Sequence, residues 1–177
     1  WEDLLKTKSH TSFTAKINDN LPPLNFKIVG KIIKNHRMRP DYEYFLPSCI
    51  EIYDSSKSKL IQTLNAKGKF NNDGDGWDNP NFDFVQIIDI NFDGYLDLRL
   101  FDNAGATGNN WYATYIYNPN LHKFVFNKEI SNLCDVAIDS SKKQISSSYY
   151  GGVGVGGTEY FKFVNNKLVS IKYEKNE

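Results

Sequence analysis

An all-β fold, built as an antiparallel meander of short hairpins, is what the sequence predicts, and three observations carry that expectation. From Phe26 onward the chain falls into short runs rich in β-branched and aromatic residues, and none has a helical period. Asn, Asp, Gly and Pro separate the runs. Two segments also look like copies of one hairpin. Tyr115-Ile116-Tyr117-Asn118 turns through Pro119 and Asn120 into Lys123-Phe124-Val125, and Phe161-Lys162-Phe163-Val164 turns through Asn165 and Asn166 into Lys167-Leu168-Val169. Asn at such turns suits positive φ, and alternating aromatic residues suit a half-buried strand. Aromatic hairpins at even spacing imply a small β-propeller-like domain of short blades, with a β-sandwich as the alternative.

Taken in order, residues 1–24 are polar, lack sustained periodicity and carry the pair Pro22-Pro23, which predicts an N-terminal lead and linker. Residues 25–177 are expected to form a single domain. Its strands are predicted at Phe26 to Ile33, Tyr42 to Leu46, Cys49 to Tyr53, Leu60 to Leu64, Phe84 to Ile90 and Tyr95 to Phe101. The remaining strands are predicted at Tyr112 to Tyr117, Phe124 to Ile130, Val136 to Asp139, Gln144 to Tyr149, Tyr160 to Val164 and Leu168 to Tyr173. With 177 residues, 40% of them hydrophobic, the chain can bury one core but is short for two ordinary domains.

Charge narrows the function classes. Lys plus Arg and Asp plus Glu both number 21, so the basic excess that non-specific phosphate binding needs is missing and nucleic acid is not an expected partner. No apolar run approaches the roughly 18 residues of a membrane span. The first residue is Trp1 rather than Met, which fits an exported chain whose signal peptide has been removed. The two cysteines, Cys49 and Cys134, lack zinc-cluster spacing, and both a disulfide and two buried thiols remain open.

The strongest chemical signal is Asp89, Asn91, Asp93, Gly94, Tyr95 and Asp97, a D-x-N-x-D-G-x-x-D pattern with oxygen donors at alternate positions and glycine at the sharp turn. Such a pattern suits Ca²⁺, which takes about six to eight oxygen ligands. Side chains of Asp89, Asn91, Asp93 and Asp97 and the carbonyl of Tyr95 are the expected donors. Without a cation the three carboxylates would repel one another in a tight turn. A helix-loop-helix calcium hand is excluded, because Leu100 stands where its bidentate Glu belongs and both flanks read as strands. A plain Asp/Asn/Gly turn is the simpler alternative. A second acidic cluster, Asp73, Asp75 and Asp78, reads as an exposed turn that could lend a ligand.

The run Gly151 to Gly157 contains a formal G-x-G-x-x-G at Gly152, Gly154 and Gly157, but it leads into a predicted strand, whereas phosphate binding needs a helix N-terminus. What remains is a long loop with Ser146, Ser147, Ser148, Tyr149 and Tyr150 on its rising side. Ser148, Tyr149, Tyr150, Gly151, Gly152 and Gly154 are the candidate partner-binding residues, since glycine lets a backbone project and tyrosine offers rigid contact area with a polar tip. Packing of those tyrosines on the domain is the bland alternative. His10, His36 and His122 show no ligand or triad spacing, and no nucleophile, base and orienting group can be assembled, so no enzyme is expected. Trp77 and Trp111 could stack on sugar rings, which keeps a calcium-dependent carbohydrate-binding or adhesive module as the second function. The loop Asp102 to Asn110 is a further possible contact surface.

The order Ile88-Asp89-Ile90-Asn91-Phe92-Asp93-Gly94-Tyr95-Leu96-Asp97, then a glycine-rich loop, Tyr115-Ile116-Tyr117-Asn118, Lys123-Phe124, a Ser/Tyr/Gly loop and Tyr160-Phe161-Lys162-Phe163, resembles a bacterial envelope family. Its members are periplasmic immunity proteins that neutralise lysozyme-like effectors of type IV or type VI secretion, similar to inhibitors of invertebrate-type lysozyme. The resemblance covers about Phe84 to Tyr173. It implies a propeller-like fold, a calcium ion at Asp89, Asn91, Asp93 and Asp97, a periplasmic location, and a peptidoglycan hydrolase as partner. It also implies inhibition by a projecting tyrosine loop, here Tyr149 or Tyr150.

Overall fold

The computed structural model describes residues 10–33, 44–65 and 84–175. Contacts divide the chain into two compact units, Trp1–Phe84 and Val85–Glu177, where the sequence suggested one domain after a linker. In the first unit β1 (His10–Ala15), β2 (Leu24–Ile33), β3 (Tyr44–Tyr53) and β4 (Leu60–Asn65) form one antiparallel sheet in chain order. The expected N-terminal lead therefore supplies a strand: β1 pairs with β2 from His10↔Val29 to Ala15↔Leu24. Phe26 opposes Ile52, Ile28 opposes Ile50 and Ile50 opposes Leu64, so one face of the sheet is continuously apolar and all five side chains are buried. Full burial of each is worth about 1.5–3 kcal/mol.

Pro47 predicts a break between two strands, yet β3 runs through it. The ladder to β4 starts only at Cys49, so proline's missing N–H costs no bond on that side. The register shift between Val29 and Gly30 absorbs Ser48, whose hydroxyl donates to the Val29 carbonyl at 3.0 Å.

The second unit holds two further four-stranded antiparallel sheets. One comprises β5 (Val85–Ile88), β6 (Asp97–Ala104), β7 (Asn110–Asn118) and β8 (Lys123–Phe126). The other comprises β9 (Val136–Asp139), β10 (Gln144–Gly152), β11 (Val155–Val164) and β12 (Lys167–Lys175). Ile90, Ile130, Ile145 and Phe161 form a buried cluster, against which Ile88 and Ile116 of the one sheet and Val136, Ile138, Phe163 and Leu168 of the other are packed. Among the described residues the chain is thus nearly all strand, in three open meanders of the kind that propeller blades use.

The turn chemistry is close to expectation. Asn165 and Asn166 have φ of 50° and 61° in a two-residue turn closed by Val164↔Lys167, the geometry that the right-handed twist of a hairpin favours. Its partner hairpin differs: Asn118 Oδ1 accepts from the amides of Asn120 and Leu121, and His122 takes the positive φ of 49°. The strand predicted through Ile130 stops at Phe126, because Asn127 caps the amide of Ile130 at 3.0 Å and starts a short helix, α1 (Lys128–Ser131), that buries Ile130.

Candidate functional site

The loop Asp89 to Leu96 links β5 to β6, so the acidic motif sits between strands as its flanks predict. Its side chains first serve its own backbone. Asp89 accepts from the amides of Asp93 at 3.2 Å and Gly94 at 2.9 Å, and Asp93 accepts from the amide of Tyr95 at 2.9 Å. Asn91 Nδ2 donates to Asp93 Oδ2 at 2.8 Å. Phe92, at φ 63°, turns its ring edge-on to Phe163, with centroids 6.5 Å apart, and Gly94, at φ 87°, makes the left-handed turn that its position requires. Tyr95 stacks on Tyr117 at 5.6 Å.

Asp97 differs from the other polar side chains of the motif, Asp89, Asn91 and Asp93. It is fully buried, its Oδ2 accepts from the amide of Ile90 and its Oδ1 from the amide of Tyr117, both at 2.8 Å. One carboxylate therefore ties the two ends of the loop to β7. Burial pushes its pKa up to about 7, against the pull of those two amides, and the nearby Asp93 and Asp89 carboxylates push the same way.

Among the described residues no three His, Cys, Asp or Glu side chains converge as a metal cluster. Asp89, Asn91 and Asp93 do line one turn, with carboxylate oxygens that keep lone pairs beyond the bonds described. A hard cation would be held by Asp89, Asn91, Asp93 and the Tyr95 carbonyl. Asp97 would contribute a second lone pair or only its charge. The donor chemistry fits Ca²⁺, and its role would be to offset carboxylate repulsion in the turn.

The Ser/Tyr/Gly segment, expected as a long loop, is a tight hairpin. Strands β10 and β11 continue to Gly152↔Val155, with Gly152 at φ 119° and Gly154 at φ 71° around Val153. Tyr149 opposes Gly157 and Tyr150 opposes Gly156, so neither ring competes with a cross-strand side chain. Tyr149 and Tyr150 are about half exposed and Val153 is 98% exposed. A Cβ on Gly151 would lie 2.8 Å from the Tyr149 hydroxyl, so glycine is needed for that ring to fold along the strand. Ser148 is half-buried, its hydroxyl 3.0 Å from that of Thr158 while its carbonyl accepts from the Cys134 thiol. Gly151 to Gly157 lead into a strand with no helix N-terminus, in keeping with rejection of the dinucleotide motif.

Sequence reasoning missed the residue that holds this hairpin. Asn109, only 2% exposed, donates through Nδ2 to the Tyr150 carbonyl at 2.8 Å and accepts at Oδ1 from the Tyr150 amide at 2.9 Å. It also missed Asp135, whose Oδ1 accepts from both the backbone and the side-chain amide of Asn110. Trp111 is half-buried with its ring against Gly105, where an added Cβ would meet the ring at 3.1 Å. Cys49 and Cys134 are free thiols. Asp73, Asp75, Asp78, Trp77 and His36 lie outside the described residues.

No protein-family model and no curated protein matches the chain. Its fold is similar to that of a solved Xanthomonas type IV secretion system related protein, with a TM-score of 0.58 at 16% identity, over 94% of this chain and 87% of that one.

Proposed function

We propose that the chain is an immunity or inhibitor protein of the bacterial periplasm that binds and blocks a lysozyme-like peptidoglycan hydrolase effector. The observation that carries this reading is the β10–β11 hairpin: two half-exposed tyrosines beside an exposed valine tip, on a backbone held by the buried Asn109. Exposed apolar and aromatic area on a pre-ordered element is what a protein-binding loop needs, because little conformational entropy is lost on docking. The relation of the similar fold to type IV secretion fits an effector delivered between cells. In this reading the Asp89 to Asp97 loop holds a structural Ca²⁺ that braces β6 and β7, from whose connection Asn109 reaches the hairpin.

Capture from a calcium-containing envelope extract tests the proposal. Wild type retaining a peptidoglycan hydrolase that a folded Tyr149→Ala/Tyr150→Ala variant releases supports it. Retention on glycan resin with no protein partner overturns it in favour of a carbohydrate-binding module.

A further inference from the structure

Successive side chains of a strand point to opposite sides of its sheet, so Tyr149 and Tyr150 present their rings on different faces. Directly opposed residues of an antiparallel pair share a face. Tyr149 is opposed by Gly157, and Gly157 in turn by Lys175. One step inward, Ser147 is opposed by Glu159, and Glu159 by Tyr173. Ile145 and Phe161, both buried, continue the same face into the core. Tyr149, Tyr173 and Lys175 therefore stand at the outer end of the core-facing side of the sheet. Tyr150, with Gly156 opposite, shares the other side with Ser148 and Thr158.

The glycines of the hairpin show how that face is built. A Cβ added at Gly157 would lie 2.6 Å from Cζ of Tyr173. One added at Gly151 would lie 3.0 Å from Cε1 of Tyr149 and 2.9 Å from Cγ1 of Val155. Two rings and a valine thus lie over bare backbone on one side, and all three are about half exposed or more. Rings seated in this way offer contact area at little cost in side-chain ordering. Lys175, opposite Gly157, adds an exposed cation, whereas Glu159 accepts from the Ser170 hydroxyl. A lysozyme-like hydrolase works through paired carboxylates in its cleft, and a tyrosine face with a cation at its edge is complementary to such a cleft.

We propose that the hydrolase docks on this one face, formed by Tyr149, Val155, Tyr173 and Lys175, with Tyr173 of β12 a contact residue outside the hairpin and Tyr150 at the margin. The inference rests on the inhibitor reading and ranks its two tyrosines.

The full chain is titrated in calcium with the captured hydrolase, identified by its cleavage of peptidoglycan. The Kd of wild type is compared with those of Tyr149→Ala, Tyr173→Ala, Tyr150→Ala and Lys175→Glu, each first shown to be folded. Losses of about tenfold or more are expected for Tyr149→Ala and Tyr173→Ala, and of about threefold or less for Tyr150→Ala. Lys175→Glu changes an exposed side chain and serves even if Tyr173→Ala does not fold. It should weaken binding about fivefold at low salt, with the difference fading near about 0.5 M salt. A larger loss in Tyr150→Ala than in Tyr149→Ala, or binding indifferent to both Tyr173→Ala and Lys175→Glu, overturns the proposed face and leaves the inhibitor reading standing. No hydrolase bound by wild type, or retention on glycan alone, overturns both.

Discussion

The side-chain amide of Asn109 pairs with the backbone of Tyr150 at two points, 2.8 Å and 2.9 Å, as a neighbouring strand would. It fixes the tyrosine hairpin from a buried position 41 residues away in the chain. Asn109→Ala removes both bonds and leaves the Tyr150 amide and carbonyl to find water. A loss of about 1–3 kcal/mol in folding stability is expected, with hydrogen exchange at the Tyr150 amide at least tenfold faster. Chemical denaturation and amide exchange measure the two effects. Asn109→Asp, which accepts from the amide but cannot donate to the carbonyl, should be intermediate or worse.

Asp97 is the buried tie of the acidic loop, and its removal tests that role. Asp97→Ala strands the amides of Ile90 and Tyr117, so a loss of about 2–5 kcal/mol is expected in urea unfolding. Asp89→Ala, acting on the half-buried side of the loop, should cost less in calcium-free buffer.

The pH response of that tie has a definite sign. Folded Asp97 titrates at about 7, whereas an unfolded Asp titrates near about 3.9. Between those values the native chain holds a proton that the unfolded chain has released, so stability attributable to Asp97 falls as pH rises from about 4 to about 7. A bound Ca²⁺ favours the charged form and should flatten this fall. Unfolding midpoints at about pH 4 and pH 8, with chelator or with millimolar calcium, and with Asp97→Asn as reference, check it. An equal fall with and without calcium would contradict a cation at this loop.

The Asn165-Asn166 turn offers a local test. Both residues sit at positive φ, where Ala costs roughly 1–2 kcal/mol per residue and Gly does not. Asn166→Ala should lower the melting temperature while Asn166→Gly should leave it nearly unchanged.

Much of this architecture is legible in the sequence because its signals are local. Alternating aromatics gave the strands, and the Asn165-Asn166 pair marked a turn whose positive φ follows from asparagine chemistry. The loop between β5 and β6 was legible for the same reason. What was hidden depends on pairing across distance. The strand at His10–Ala15 has no pattern of its own and exists through its ladder with β2. Asn127 looked like a strand residue until its cap to Ile130 was formed. The segment 151–157 reads as a loop because glycine is poor in strands, yet Gly156 and Gly157 pair with Tyr150 and Tyr149 in the ladder, and the space over Gly157 is taken by the Tyr173 ring. Asn109 lay within a possible contact loop, but nothing local marks it as the residue that binds Tyr150.

The most direct measurement of the inhibitor reading is peptidoglycan hydrolysis by the captured hydrolase in the presence of wild type, Tyr149→Ala, Tyr150→Ala and Asn109→Ala, each first shown to be folded. The account predicts inhibition by wild type, a loss of about tenfold or more in potency for at least one tyrosine variant with unchanged stability, and a smaller loss for Asn109→Ala. Undiminished inhibition by both folded tyrosine variants would contradict it.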